Sequence, residues 1–210
     1  MDERIRAVID ADFFRKITEY EHGPKLFLRV MNELNLQPVM HEFVAETELN
    51  GNQYLQKLLD TGMVDVIRYS DYLKEEDKKP YENYFREAFE RINYYSFPKG
   101  EDPYIYADRG ESLGEIRSLY MARKMGCPYF MSDDADAGTL TRSFFSRKSG
   151  ITVQTLYEVF VLCRERGTSL TWKDIKVTAT NAMRTRQKKL NMLKEIYGNS
   201  KEHEKTDLKR

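Results

Sequence analysis

Acidic residues follow two short apolar segments that lie far apart in the sequence. Ala7–Ile9 leads directly into Asp10, with Asp12 two residues later, and Tyr129–Met131 leads into the acid-rich stretch Ser132–Asp136. Carboxylates held close together repel one another, and their burial is costly unless a cation neutralises them. Ligands made of oxygen alone favour hard divalent cations such as Mg²⁺ or Mn²⁺. The residue types therefore indicate metal-binding chemistry, provided that the fold brings the two segments together.

Parallel β-strands would bring them together. Short apolar segments alternate with helical patterns along the chain, which predicts an α/β fold with a mostly parallel central sheet of four to five strands flanked by helices. The carboxyl ends of parallel strands share one edge of the sheet, where ligands bind. Asp10 and the Asp133–Asp134 pair would then line one crevice. Taken singly, an Asp after a strand is more often a helix cap or a turn residue.

The predicted elements form one domain over residues 1–197, with a helical insertion at about 70–108 and a flexible polar tail at 198–210. The charge run at 74–79 is interpreted as solvated, with a helix beginning at Pro80, and one long helix is predicted from Trp172 to Tyr197. The predicted strands are 6–9, 37–40, 63–69, 128–131 and 151–153. The other predicted helices are 11–23, 25–34, 41–49, 53–59, 114–125 and 156–166.

Composition limits the possible partners. The chain has 210 residues, with 34 basic and 34 acidic side chains, so it gives no support to a general polyanion-binding surface. Any contact with nucleic acid must come from a local basic patch, for which Arg142, Arg147 and Lys148 are the candidates. No apolar stretch approaches the roughly 20 residues of a membrane span, and no signal-peptide pattern is present, so we expect a cytoplasmic protein.

The segment Leu113–Asp134 resembles the signature of PIN-domain (PIN-like) nucleases. That signature is a Gly-Glu pair at the start of a helix, an Ala about seven residues later, a Gly that closes the helix, an apolar strand, and then Ser or Thr followed by acids. The matching residues are Gly114, Glu115, Ala122, Gly126, Ser132, Asp133 and Asp134.

Three other segments resemble parts of the same family. Asp10 falls at the family's first acid, and the segment Pro38–Val44 places Glu42 at the second. Residues 150–167 resemble the last strand and the helix that follows it. An upstream Gly110-Glu111 pair could also be the Gly-Glu of the signature. We prefer Gly114-Glu115, because Ala122 and Gly126 then stand at the spacing that the signature requires.

The resemblance implies a metal-dependent phosphodiester hydrolase, an endoribonuclease that uses Mg²⁺ or Mn²⁺. It implies RNA as substrate, and, because many bacterial relatives are toxins of toxin–antitoxin pairs, a small antitoxin or a homodimer as partner. It leaves open whether Glu111 or Glu115, and whether Asp133 or Asp134, is the principal ligand. The implied catalytic residues are Asp10, Glu42, Glu115 and Asp134; the metal ligands are Asp10, Glu115, Asp133 and Asp134; and the auxiliary acids are Asp12, Glu111 and Asp136.

Two alternative functions fit parts of the sequence. Asp10-x-Asp12 after an apolar strand resembles the nucleophile motif of haloacid-dehalogenase-type phosphatases, in which Asp10 would be the nucleophile. That alternative gives Glu115 no role. The second is a non-catalytic PIN-like interaction module in which the acids are relics.

Overall fold

A five-stranded β-sheet, parallel throughout, organises the chain in a computed structural model that describes residues 4–20, 22–145 and 150–198. The strand order is β3-β2-β1-β4-β5, which confirms the predicted α/β class. The strands are β1 (Ile5–Ile9), β2 (Leu36–His41), β3 (Asp65–Ile67), β4 (Tyr129–Met131) and β5 (Thr152–Gln154).

Strand β1 lies where the direction of the chain across the sheet reverses. The chain adds β2 and β3 on one side of β1 and then returns to add β4 and β5 on the other side. In open parallel sheets such a reversal leaves a crevice outside the carboxyl ends of the two strands concerned. Here those strands are β1 and β4, the two that precede the acidic segments.

Helices cover both faces of the sheet. In the described ranges they are α1 (Ala11–Thr18), α2 (Gly23–Glu33), α3 (Gln53–Asp60), α4 (Tyr69–Tyr72), α5 (Glu75–Asn93), α6 (Leu113–Lys124), α7 (Ala135–Phe144), α8 (Leu156–Glu165), α9 (Trp172–Ala182) and α10 (Gln187–Gly198), with a π-helical segment, Val44–Glu48, between β2 and α3. None of these helices has the length and apolar character needed to cross a bilayer.

The strands supply side chains to two hydrophobic cores, one on each face. Successive side chains of a strand point to opposite faces, so Ala7 and Ile9 enter the first core and Val8 enters the second. Helices α1, α2, α8, α9 and α10 pack in the first core, and helices α5, α6 and α7 pack in the second.

The predicted insertion is an integral part of the second core. Helix α5 begins at Glu75 rather than at Pro80, because the Asp77 carboxylate accepts the Lys74 backbone N–H (3.3 Å) and acids in the first turn suit the helix dipole. Pro80 lies in the second turn. The helix then buries aromatic side chains against the sheet, namely Tyr81, Tyr84, Phe85 and Phe89.

Two other predicted elements differ from the structure. The single helix predicted at 172–197 is two helices, since the backbone turns between Ala182 and Gln187 while Met183 is buried in the first core. Helix α7 follows β4 where no helix was predicted. The predicted tail beyond residue 198 lies outside the described residues.

Candidate functional site

The carboxyl ends of β1 and β4 place Asp10 and Ser132 side by side. Ile9 pairs with Met131 in the sheet, and the Asp10 backbone N–H donates to the Met131 carbonyl (3.0 Å). The Ser132 hydroxyl donates to Asp10 Oδ2 (3.1 Å) and accepts the backbone N–H of Asp134 (3.1 Å). A hydroxyl can donate and accept at once, which explains why Ser or Thr suits this position. The predicted meeting of the two strand ends is thus present in the structure.

Asp10 is the most deeply buried acid of this region. It is 1% exposed, and its Oδ1 atom has no hydrogen-bond partner among the described residues. Burial disfavours the charged carboxylate and raises the pKa of Asp10 to about 6, although hydrogen bonds with the Ser132 hydroxyl, the Ala11 backbone and the Glu115 carboxyl act in the opposite direction. A buried oxygen in this position needs a donor or a cation, and the Glu115 carboxyl can donate only while it is protonated.

Glu115 lies in the first turn of α6 and interacts with Asp10. It is 6% exposed. Burial, followed by the charges of Asp10, Glu48 and Asp134, raises the pKa of Glu115 to about 10. The carboxyl of Glu115 therefore holds a proton at neutral pH.

Glu48, at the end of the π-helical segment, is a member of this group that the sequence analysis did not single out. A Cβ atom placed on Gly114 would lie 2.6 Å from both carboxylate oxygens of Glu48, and the Gly114 backbone N–H donates to this carboxylate. Burial and the charge of Asp10 raise the pKa of Glu48 to about 7, while the charges of Arg15 and Arg117 act in the opposite direction. Asp10, Glu48, Glu115 and Asp134 are called the acidic cluster from here on.

Glu42, the predicted second acid, is engaged elsewhere. Its Oε1 accepts the backbone N–H of Tyr69 (2.9 Å), and its Oε2 lies 3.9 Å from Arg68 Nε. The stretch after β2 holds three acids, Glu42, Glu46 and Glu48, and the chain alone gives no reason to choose among them. Glu48 is the acid that reaches the cluster, because the π-helical turn directs it there and Gly114 has no side chain to occupy the space of its carboxylate.

The two acids of the predicted Asp133–Asp134 pair have different surroundings. Asp134 is the N-cap of α7 and accepts the Asp136 backbone N–H (2.8 Å), and its charge acts on Glu115. Asp133 is 7% exposed and accepts the Leu156 backbone N–H at the start of α8 (3.0 Å). Asp134 is therefore grouped with Asp10, Glu48 and Glu115, and which of Asp133 and Asp134 is the principal ligand stays a prediction.

The three predicted auxiliary acids contact other groups. Asp12 pairs with Lys16 (2.6 Å), whose ammonium also lies 3.5 Å from Asp133 Oδ2. Asp136 accepts the Ser112 hydroxyl (2.9 Å). Glu111 is exposed, and the Asn93 side chain forms hydrogen bonds with the backbone N–H and carbonyl of Glu111.

Two cations on helix α1 border the cluster. Arg15 donates to the Glu48 backbone carbonyl, so helix α1 presents both Arg15 and Lys16 next to the acids. Arg142 is exposed on α7 and donates to Thr139 Oγ1 (3.3 Å). Arg147 and Lys148 lie outside the described residues.

Among the described residues, the acidic side chains are not arranged as a metal-binding group. Within the described ranges, no three acid, histidine or cysteine side chains are arranged as a ready metal-binding group. Searches against protein-family models, curated proteins and solved structures find no match for this chain. Any assignment of function therefore depends on the geometry and chemistry of the site.

Proposed function

We propose that this chain is a metal-dependent phosphodiester hydrolase, an endoribonuclease in which the acidic cluster holds Mg²⁺ or Mn²⁺. The observation that carries the proposal is the Asp10 side chain, which is buried at the carboxyl ends of β1 and β4 with one oxygen lacking an N–H or hydroxyl partner, next to carboxyls whose pKa values are raised. A lone capping Asp needs no acidic neighbours, and it would have its oxygens satisfied by backbone N–H groups.

The donor set suits a hard divalent cation. All four side chains offer only oxygen, the ligand type that Mg²⁺ and Mn²⁺ prefer. Burial is the main cause of the raised pKa values of Asp10, Glu48 and Glu115, and a cation placed among them would oppose it. The cluster must close slightly, or use water molecules, to complete the coordination of an ion.

The chemistry requires no side-chain nucleophile. A divalent cation held by these acids would lower the pKa of water and supply positive charge to a phosphodiester. Ser132 orients Asp10 through its hydroxyl, and the α7 N-terminus fixes Asp134. Arg15 and Lys16 border the acids and can attract substrate phosphates. His41 is fully buried and makes hydrogen bonds with both ring nitrogens, so it is not available as a general base.

RNA as substrate, and a small antitoxin or a second copy of the chain as partner, are implied by the resemblance and stay predictions. A preference for RNA over DNA can be measured by letting the two compete for cleavage in one assay. The alternatives, a phosphatase with Asp10 as nucleophile and a non-catalytic module, predict different products in the same assay.

The test compares Glu48→Gln and Asp134→Asn with the control Glu42→Gln. Gln keeps the size of Glu, and Asn retains helix capping, so each change removes charge with little change of shape. We expect each cluster variant to lose about 100-fold or more in Mn²⁺-dependent cleavage of mixed RNA and DNA, a loss of about 2.7 kcal/mol of transition-state stabilisation. The control should change cleavage by less than about tenfold.

Other outcomes select among the alternatives. Full cleavage by both cluster variants would overturn the proposal. Hydrolysis of a small phosphate ester through a covalent phosphate on Asp10 would favour the phosphatase. No cleavage by the wild type, with no thermal stabilisation by Mn²⁺, would favour the non-catalytic module.

A further inference from the structure

Arg117 is the largest fully buried side chain among the described residues, and it carries a permanent charge. It lies on α6 two residues after Glu115. In the described part of the chain no carboxylate lies within ion-pair distance of its guanidinium. A buried cation without a counter-ion is costly and is usually less stable than a well-packed apolar side chain.

Four oxygen atoms accept hydrogen bonds from the Arg117 guanidinium and so offset part of the cost of burying its charge. Arg117 Nε donates to the Tyr69 hydroxyl (2.9 Å), and Nη1 donates to the Leu113 carbonyl (3.4 Å). Nη2 donates to the carbonyls of Pro103 (3.1 Å) and Tyr106. These acceptors belong to the start of α4, the first turn of α6, and the segment that joins α5 to α6. One side chain therefore ties three parts of the chain together.

Two aromatic rings complete the enclosure. The Arg117 Cζ atom lies 3.8 Å from the centroid of the Phe43 ring and 4.9 Å from that of Phe85. Phe43 immediately precedes the π-helical segment that carries Glu48. A desolvated cation–π contact of this kind is attractive. Arg117 thus holds the base of the Glu48 segment against the helix that carries Glu115.

Its charge also reaches the acidic cluster. Burial raises the pKa of Glu48, and the positive charges of Arg15 and Arg117 oppose that rise. Burial, aided by the Arg117 charge, lowers the pKa of His41 to about 3, so His41 is neutral and adds no positive charge. An apolar residue at position 117 could fill the space but could not provide this charge or these hydrogen bonds.

We propose that Arg117 is a positioning residue for the acidic cluster: by binding Phe43, Tyr69 and the first turn of α6 at once, it fixes Glu48 and Glu115 relative to each other. This inference rests on the proposed function, because the relative position of Glu48 and Glu115 matters for activity only if the cluster binds a divalent cation. Arg117 is enclosed and does not reach substrate, so its effect must pass through the two acids.

The test uses Arg117→Lys and Tyr69→Phe, with Tyr84→Phe as the matched control. Lysine keeps the charge but not the planar fork of donors. Tyr69 and Tyr84 each direct one hydroxyl to α6, but Tyr84 donates to the Ile116 carbonyl (3.0 Å) rather than to Arg117. Both Tyr→Phe changes therefore remove one hydrogen bond to the same helix, and Tyr69→Phe also removes the hydrogen bond between the Tyr69 and Tyr81 hydroxyls (2.8 Å). If Arg117→Lys fails to fold, the comparison of Tyr69→Phe with Tyr84→Phe still tests the positioning role of Arg117.

The first measurement is Mn²⁺ affinity by calorimetry, at a temperature at which all variants are folded. We expect Arg117→Lys to bind Mn²⁺ about 10–100-fold more weakly, as for other outer-shell partners of metal ligands. Tyr69→Phe should weaken binding in the same direction, and Tyr84→Phe should leave it unchanged. A purely structural role would lower the thermal stability of all three variants without changing the Mn²⁺ affinity of the folded protein.

The second measurement is hydrogen exchange at the backbone amides of residues 44–48 and 113–116, without metal. Faster exchange there in Arg117→Lys and Tyr69→Phe, and not in Tyr84→Phe, is expected. Equal exchange or equal Mn²⁺ affinity in all three variants would overturn the positioning role. If the wild type binds no Mn²⁺, the proposed function fails, and the exchange measurement alone decides the role of Arg117.

Discussion

At the scale of single residues, the acidic cluster is a group of carboxyls that burial keeps partly protonated. The pKa values of Asp10, Glu48 and Glu115 rise to about 6, 7 and 10 because burial disfavours their charged forms, and nearby acids add repulsion. A divalent cation would reverse both effects. The cluster without metal should therefore destabilise the fold increasingly as these groups lose their protons.

The stability of the metal-free protein should fall as pH rises from about 5 to 8, and Glu115→Gln should reduce that fall. Folded Glu115 keeps its proton up to about pH 10, whereas in the unfolded chain it loses it near its ordinary pKa of 4.5. Between those values the folded state binds more protons, so raising the pH favours unfolding. At pH 8 we expect Glu115→Gln to raise the melting temperature by at least about 2–4 °C, the change that corresponds to 1 kcal/mol in a chain of this size.

The melting temperatures are measured in a chelator at pH 4.5 and pH 8. Near pH 4.5 the variant and the wild type should melt at nearly the same temperature, because folded Glu115 is protonated and unfolded Glu115 is still about half protonated, so little stability has been lost. An equal dependence on pH in the two proteins would show that Glu115 is not held in its neutral form.

At the scale of elements, the start of α6 and the π-helical segment are fitted to each other. Gly114 has no side chain, and the Glu48 carboxylate occupies the space that a Cβ atom would need. The Gly114 backbone N–H donates to that carboxylate at the helix N-terminus, where negative charge is favourable. The glycine of the Gly-Glu pair is therefore required by contact with a distant acid, and not by its backbone angles.

Gly114→Ala should displace Glu48 and weaken Mn²⁺ binding and cleavage by about tenfold or more, as for changes to outer-shell partners. The added methyl would lie 2.6 Å from both carboxylate oxygens, which is closer than non-bonded atoms approach. The measurement is the Mn²⁺ affinity together with the cleavage rate.

Gly138→Ala in α7 is the matched control. A Cβ atom there meets the flexible end of Arg142 at 3.2 Å, so it can be accommodated. Ala should stabilise this helix by about 0.5–1 kcal/mol relative to Gly. Unchanged Mn²⁺ affinity in Gly114→Ala would show that the contact with Glu48 does not define the site.

At the scale of the whole molecule, one sheet joins the two cores. Ala7, Val8 and Ile9 of β1 alternate between the two faces, and Phe130 and Met131 of β4 do the same. Loss of packing in one core therefore disturbs strands whose other side chains pack in the second core. The two faces should unfold as one cooperative unit.

Phe89→Ala in the second core should lower the free energy of unfolding by about 3–5 kcal/mol, the usual cost of truncating a buried Phe. The fluorescence of Trp172, the single tryptophan, reports on the first core on the opposite face. Denaturant unfolding followed by this fluorescence should shift together with unfolding followed by circular dichroism.

Ile105→Ala serves as the control for Phe89→Ala, since Ile105 is 77% exposed on the segment between α5 and α6. Its substitution should change stability by less than about 0.5 kcal/mol. Two separate transitions in Phe89→Ala would show that the faces are independent.

Local patterns in the amino-acid sequence were enough to predict the sheet and the meeting of its strand ends. Short apolar segments between helices predicted parallel strands, and the strand before Asp10 and the strand before Ser132 are neighbours in the sheet. These features follow from local patterns, because strand and helix periodicity is written in adjacent residues. The start of α6 near Glu115 was predictable for the same reason.

The identity of the acids that meet, and of the groups that hold them, depends on the folded chain. Glu48 rather than Glu42 joins the cluster because a π-helical turn and the space above Gly114 admit it. Arg117 is buried because Tyr69, Phe43 and two distant carbonyls enclose it, although its sequence neighbourhood is that of an ordinary helix. Such choices depend on contacts between segments tens of residues apart, and local sequence patterns carry no record of those contacts.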